Sequence, residues 1–333
     1  MKPSFFFGID TSNYTTSAAA VSAAGEVFFA KRPLPVPEKQ VGLRQSDALF
    51  SHTKALPEVM AELAEKIRKK HPAYTVAAIG VSSRPRPVEG SYMPCFLAGV
   101  NAAGTAAAMQ GVPLYEFSHQ EGHLQAAKEG SRENGRPFPE NASSFFGLHL
   151  SGGTLELVEA NAKKEGGFSV SLVAAGLDIT CGQLIDRCGV SLGLPFPAGA
   201  ELEKLARLSE KRFSVKIPRK EKGINLSGFQ NRFDEMMKNG SSPADGAAFV
   251  FRVVEEAVNA LLAMIPEEKK NLPILFSGGV ASSGLLQEKW AGENRYFAPP
   301  AYSADNAIGI AFLTKEQEEK NGRTTGDHRC PTE

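Results

Sequence analysis

"FFGIDTSNYT" (Phe6–Thr15) and "FFGLHLSGGT" (Phe145–Thr154) are two versions of one ten-residue pattern, matching at Phe, Phe, Gly, Ser and Thr. Each apolar run suits a buried strand. A small polar turn follows, then a second apolar run, "SAAAV" (Ser17–Val21) or "LELVEA" (Leu155–Ala160), so each copy reads as a β-hairpin. A hairpin that occurs twice, far apart in the chain, predicts two lobes, each opened by one copy. Turns of Ser, Gly, Thr and Asn also leave backbone N–H groups and hydroxyls able to face a phosphate.

Working outward, "DALFSHTKALPEVMAELAEKIRKK" (47–70) carries apolar residues at helical spacing, "VAAIGVS" (76–82) reads as a strand and "LAGVNAAGTAAAMQG" (97–111) as a small-residue helix. Strands alternating with helices indicate an α/β lobe. Residues 128–141, rich in Gly, Pro, Glu and Arg, read as an exposed connection, which gives an N-terminal lobe over 1–140 and a C-terminal lobe over 141–310. In the second lobe, "TCGQLIDRCGVSLGL" (180–194) and "GAAFVFRVVEEAVNALLAMI" (246–265) read as helices. "LPILFSGGVASSGLLQEKW" (272–290) reads as a buried strand that ends at Gly278 and Gly279 and leads into a helix, a geometry that lets backbone approach a nucleotide. Residues 311–333 read as a helix end and a frayed, charged tail.

The bulk properties suit a folded protein of two cores: 333 residues, 42% hydrophobic and 22% charged. Lysine plus arginine total 37 and aspartate plus glutamate total 37, so no global positive field draws in nucleic acid. The stretch 203–223 is locally basic, but its interspersed Glu203, Glu210 and Glu221 favour a solvated helix and loop over an RNA-binding surface. Cys95, Cys181, Cys188 and Cys330 form no CxxC pair and no disulfide framework, which fits a reducing compartment. The opening apolar run is short for a signal segment, and no later run has the length of a membrane span, so a cytoplasmic protein without membrane partners is expected.

Chemistry concentrates in "YEFSHQEGHLQAA" (115–127). His119 and His123 lie four residues apart, on one face of a helix, where both can reach one metal ion. A zinc protease of the HExxH kind needs glutamate directly after the first histidine; Gln120 stands there, and Glu121 lies about 200° round the helix from His119. The protease reading lacks its general base. A capping or surface role for the two histidines stays open beside the metal role. A third ligand is available in Asp305 of "YSADNAIGIAF", which equally fits a helix cap; two histidines and a carboxylate would suit Fe(II) or Zn(II) with open positions.

In order along the chain, "GIDTS" (8–12), "HQEGHL" (119–124), "LSGGT" (150–154), "GQLIDRCGVSLGLPFPAG" (182–199), "NLSGF" (225–229), "FSGGVASSGLL" (276–286) and "ADNAIGIAF" (304–312) resemble the threonylcarbamoyl-transferring tRNA modification enzymes, once labelled O-sialoglycoprotein endopeptidases. Seven ordered matches are far more specific than any one. The resemblance implies the two-lobed α/β fold of actin, hexokinase and the heat-shock chaperone ATPases, with duplicated ribonuclease H-like lobes and a ligand cleft between them. It implies a Fe(II) or Zn(II) ion on His119, His123 and Asp305, and catalytic positions at Asp10 and Ser12. It also implies adenine-nucleotide contacts at Ser151, Gly152, Gly153, Asp186, Gly199, Gly278, Gly279 and Ser283. The donor implied is threonylcarbamoyl-AMP, with ATP or ADP as other nucleotides of the same site. The acceptor implied is a tRNA adenosine, and the setting a protein complex of tRNA modification.

The chain departs from the family around the substrate. Asn13, Tyr14, Thr15 and Thr16 stand where the family has two acids and a cysteine; Thr154 and Leu155 follow the SGG turn in place of histidine and threonine; Ser283 replaces asparagine. "SSRPRPVEGSYMP" (82–94), with Arg84 and Arg86, replaces a Gly-Pro-Gly loop; the two arginines suit either a carboxylate or phosphate clamp or a solvated surface. These changes spare the metal set and mark a divergent paralogue, for which a noncatalytic nucleotide- and metal-binding scaffold, or carbamoyl transfer to a non-tRNA acceptor, is the alternative expectation.

Overall fold

The computed structural model describes residues 2–12, 14–35, 43–164, 166–303 and 307–326. In chain order its elements are β1 (Ser4–Asp10), β2 (Thr15–Ser22), β3 (Val27–Pro33), α1 (Gln45–Lys70), β4 (Thr75–Arg84), α2 (Phe96–Gln110), β5 (Leu114–Ser118), α3 (His119–Gly130), β6 (Ser144–Leu150) and β7 (Leu155–Ala162). There follow β8 (Phe168–Gly176), α4 (Cys181–Ser191), α5 (Gly199–Ala206), β9 (Arg219–Lys220), β10 (Gly223–Ile224), α6 (Ser227–Lys238), α7 (Pro243–Leu262), β11 (Ile274–Ser277), α8 (Gly284–Trp290), β12 (Arg295–Phe297), α9 (Pro300–Ser303) and α10 (Ile308–Gly326).

The chain folds into two α/β units. One sheet runs β3-β2-β1-β4-β5 and the other β12-β11-β6-β7-β8-β10-β9. Both copies of the repeat are hairpins, and both place their first strand centrally: β1 pairs antiparallel with β2 and parallel with β4, while β6 neighbours β7 and pairs parallel with β11.

In the first unit α1 covers the sheet with Leu56, Val59, Leu63 and Ile67, all buried, at the three- and four-residue steps of one helical face. Burying side chains of this size stabilises by roughly 1.5–3 kcal/mol each. Beside it α2 buries Ala98, Gly99, Ala103 and Ala107, whose small size lets its backbone approach β4. In the second unit α7 is the central helix. Ser242 caps it by accepting from the Asp245 amide, Pro243 pre-sets its first turn, and Phe249, Val250, Val253, Val254, Ala257, Val258 and Leu261 are buried against α4, α5 and α6.

The division of the chain differs from 1–140, 141–310 and 311–333. The first unit takes Met1–Glu129, Asn161–Val170 and Asp305–Glu333; the second takes Gly130–Ala160 and Ser171–Ala304. Residues 311–326 are helix rather than frayed tail, and α10 packs on β1, β2 and β4 with Ile308, Ile310, Ala311 and Leu313 buried. The connection over 128–141 is also not wholly exposed. α3 runs through Gly130, and Phe138 is buried against the rings of Phe145 and Tyr296. Strands β3, β5 and β8 and helix α6 carry too short or too mixed a pattern to have been read from periodicity.

Glycines let α10 come this close. A Cβ on Gly8 of β1 would meet the backbone of Ala307 and Ala311, and one on Gly309 of α10 would meet the backbone of Gly122 in α3. Strand, histidine helix and C-terminal helix therefore touch backbone to backbone. Gly309→Ala is expected to destabilise the protein by about 1–3 kcal/mol in urea unfolding, the usual penalty of overpacking. Gly104→Ala, in the interior of α2 where the nearest atom to a new Cβ is Leu114 Cδ2 at 3.9 Å, is expected to stabilise by about 0.5–1 kcal/mol. Equal effects of the two substitutions would remove the close-contact account.

Candidate functional site

The first unit gathers Asp10, Ser12, His119 and His123. Asp10 ends β1 and is fully buried. The parallel register that pairs Ile9 with Val81 brings Ser82 beside it, and the Ser82 hydroxyl donates to Asp10 Oδ1. The Ser12 hydroxyl donates to Oδ2 at 2.8 Å, and His119 Nδ1 lies 3.0 Å from the same oxygen. Burial pushes the Asp10 carboxyl up, but the neighbouring His119 charge and the bonds from His119, Ser82 and Ser12 outweigh it and hold the group below its usual range. Thr11 completes the corner: its hydroxyl donates to the Cys95 carbonyl at 3.1 Å and accepts from the Gly99 amide at 3.2 Å, tying the end of β1 to the start of α2.

His119 opens α3 and His123 stands one turn on, with their Nε2 atoms 2.8 Å apart. His119 Nδ1 bonds the Asp10 carboxylate, and the two Nε2 atoms share a second hydrogen bond in which one nitrogen donates and the other accepts. A carboxylate behind a histidine that presents its other nitrogen is the outer arrangement usual for metal-binding histidines. Two ligand nitrogens on a tetrahedral Zn(II) at about 2.05 Å stand ~3.3 Å apart, close to what the pair already offers. The two histidines and Asp10 thus fit the expected metal. Asp305, the expected third ligand, lies outside the described residues, and among the described residues no group of three His, Cys, Asp or Glu side chains forms a metal cluster.

Glu121 has a structural task that its place beside the histidines did not suggest. Ser118 N and Oγ both donate to Glu121 Oε2 at 2.8 Å, while the Glu121 amide donates back to Ser118 Oγ at 3.2 Å. This is a capping box, Ser-x-x-Glu, and the spacing was present in "SHQE". The second oxygen accepts from the Phe168 amide at 3.0 Å and pairs with Lys163 at 3.1 Å, so the same carboxylate fastens residues 163–168 to the start of the histidine helix.

In the second unit the two glycine turns meet. β6 ends at Leu150 and β11 at Ser277, on adjacent parallel strands, with His149 Nδ1 2.9 Å from Ser277 Oγ. Gly278 has φ 95° and sits where a Cβ would strike the Leu150 carbonyl, so it serves the approach of its own turn to β6. The expectation of open amides in the first turn is corrected in part. Gly153 N and Thr154 N donate to Ser151 Oγ at 3.3 and 3.0 Å, so the turn uses these amides internally. Space beside Gly152, Gly153 and Gly279 is open within 4 Å of a built Cβ. Thr180 caps α4 and donates to the Gly152 carbonyl at 2.9 Å, while Gly182 allows the first turn of α4 to lie directly on Ser151 and Gly152.

The remaining expected nucleotide positions lie around α5. Asp186 of α4 accepts from the Ala198 amide at 2.8 Å and so fixes the residue before Gly199, where α5 begins. Four residues on, Glu203 takes the Ser283 hydroxyl at 2.7 Å and the Leu285 amide at 2.9 Å. Burial pushes the Glu203 carboxyl up, but these donors and Arg207 hold it below the usual range. Sequence reading counted Glu203 among solvated acids and missed this role, because its partner lies 80 residues away. It also missed Asp178, whose carboxylate accepts from the Ile179, Leu226 and Ser227 amides and the Ser227 hydroxyl at 2.6–3.0 Å. That clamp explains "NLSGF": the motif starts α6 on the loop that precedes α4.

Glu121→Ala orphans the buried Phe168 and Ser118 amides at about 1–3 kcal/mol per lost acceptor, so a urea midpoint clearly below that of the parent protein is expected; an unchanged midpoint would mean the capping box bears no weight. Asp178 gives a pH signature. Burial raises its carboxyl, but the amide and hydroxyl donors leave it below the usual range. A depressed folded value means stability present above the unfolded value near about pH 4 and lost as pH falls through the folded value. The melting-temperature deficit of Asp178→Asn should therefore be largest at pH 7 and shrink towards pH 3. A deficit that grows on acidification would contradict the clamp.

A family model described as tRNA N6-adenosine threonylcarbamoyltransferase, TsaD, matches residues 38–312. The chain is 26% identical over 317 residues to the tRNA N6-adenosine threonylcarbamoyltransferase of Methanopyrus kandleri, covering 92% of this chain and 85% of that protein. It is 28% identical over 323 residues to the enzyme of the same name from Dictyoglomus turgidum, covering 91% and 90%. Among solved structures, HypF of T. kodakarensis is similar in fold at a TM-score of 0.55 and 14% identity; the match covers 96% of this chain, which spans about half the length of that protein, 48%. With the match of the model over most of its length, the chain belongs to the tRNA N6-adenosine threonylcarbamoyltransferase family.

Proposed function

We propose that the protein transfers a threonylcarbamoyl or related carbamoyl group from an adenylated donor to an amine acceptor, with a tRNA adenosine as the first candidate. The observation that carries this reading is the Asp10–His119–His123 chain, in which a buried carboxylate holds one imidazole and the two Nε2 atoms stand 2.8 Å apart. In the reaction the bond from the carbamoyl carbon to the phosphate oxygen breaks, a bond from that carbon to the acceptor nitrogen forms, AMP leaves with the electron pair, and the acceptor amine loses a proton. A Fe(II) or Zn(II) ion on His119, His123 and Asp305 would supply positive charge to the carbamoyl oxygen.

The donor is a mixed anhydride with a good leaving group, so orientation and charge do most of the work. Asp10 and Ser12 keep His119 in the tautomer that presents Nε2. The open space beside Gly152, Gly153 and Gly279 would admit the adenylate, and Asp186, Gly199 and Ser283 would serve as nucleoside contacts. A complex of tRNA modification is the setting this reading implies for the protein.

The test is AMP release and nucleoside mass spectrometry with threonylcarbamoyl-AMP and unmodified tRNA, with and without Fe(II) or Zn(II). Turnover is expected, with bound metal lost in His123→Ala and both metal affinity and turnover reduced about 10–100-fold in Asp10→Asn. Turnover only with a non-tRNA amine would move the acceptor. Absence of any turnover together with tight ADP or ATP binding would make the protein a nucleotide-binding scaffold.

A further inference from the structure

At the end of the strand that carries Ser82 stands a cation with no assigned role. Arg84 is the last residue of β4 and is half-buried. Its Cα is in register with Ser118, and the carbonyl of the next residue, Pro85, accepts from the Gln120 amide at 3.1 Å. The backbone at Arg84 is thus held to the residues on either side of His119. Two residues earlier on the same strand, Ser82 bonds Asp10. Arg84 therefore springs from the same corner of the first unit as Asp10, His119 and His123.

Its guanidinium is short of charge partners. Nη1 bonds the neutral Ser83 hydroxyl at 3.1 Å, and among the described residues no carboxylate lies within ion-pair distance. The carboxylates of this corner are already used: Asp10 by Ser12, Ser82 and His119, and Glu121 by Ser118, Phe168 and Lys163. A guanidinium has five N–H donors in a fork that fits an oxyanion, and it stays charged at any working pH. Pro85 and Pro87 stiffen the segment that bears it, and Arg86 adds a second positive charge two residues on.

We propose that Arg84 binds an oxyanion of the small-molecule ligand of the Asp10–His119–His123 corner, either a carboxylate on the acyl part or a phosphate of the adenylate. The inference deepens the carbamoyl-transfer reading and rests on it for the identity of the ligand. An RNA phosphate is the less fitting occupant: the segment 84–94 carries only Arg84 and Arg86 against Glu89, which is no basic stripe. The fixed backbone at Arg84 suits a compact anion.

Equilibrium binding to the full chain, measured by calorimetry with N-carbamoyl-L-threonine and, separately, with AMP, tests this without any need for turnover. Arg84→Gln is expected to weaken one of the two probes about 10–100-fold, the usual loss for a charge-assisted hydrogen bond, with Arg84→Lys in between and the melting temperature unchanged. A loss confined to N-carbamoyl-L-threonine identifies the carboxylate; a loss confined to AMP identifies the phosphate. Parent-like binding of both probes by Arg84→Gln overturns the proposal, as does a loss seen only with tRNA. An Arg84-dependent anion bound by a protein with no transferase turnover would sink the reaction and keep the anion site.

Discussion

The contact of three backbones around α10 is the constraint on which the first unit turns. Gly8, Gly122 and Gly309 remove the side chains that would hold β1, α3 and α10 apart. β1 delivers Asp10 and α3 delivers both histidines, so the distance between carboxylate and imidazole is set by how closely these elements lie against one helix. The same helix begins just after the segment that contains Asp305. A packing detail in glycine and a candidate metal centre are in this way one feature.

In both units, carboxylates are used as fasteners before they are used as chemistry. Glu121 caps α3 and fastens residues 163–168 to it; Asp178 starts α6; Asp186 sets the start of α5; Glu203 holds the segment that opens α8. Each accepts backbone amides that would otherwise be left without partners, which is why such groups are worth more than surface ion pairs. Asp10 differs. Its partners are side chains, two hydroxyls and an imidazole, and the imidazole leads on to His123.

Two of the positions that set this chain apart have partners within it: Arg84 closes β4 with its guanidinium on the Ser83 hydroxyl, and Ser283 bonds Glu203.

The sequence by itself determined the duplicated hairpins, because strand and turn chemistry are local, and the long helices α1, α2, α4 and α7, because one apolar face repeats at helical spacing. It determined that His119 and His123 share a face and that Glu121 does not, since four residues and two residues are fixed angles on a helix. The capping box at Ser118 and Glu121 was equally local and was legible in the spacing. Only the tertiary structure decided that α10 belongs with β1 and α3, that residues 161–170 count with the first unit, and that Glu203 meets Ser283 or Asp178 meets Leu226. Those partners lie tens to hundreds of residues apart, and no period or spacing carries information over such a distance; packing does.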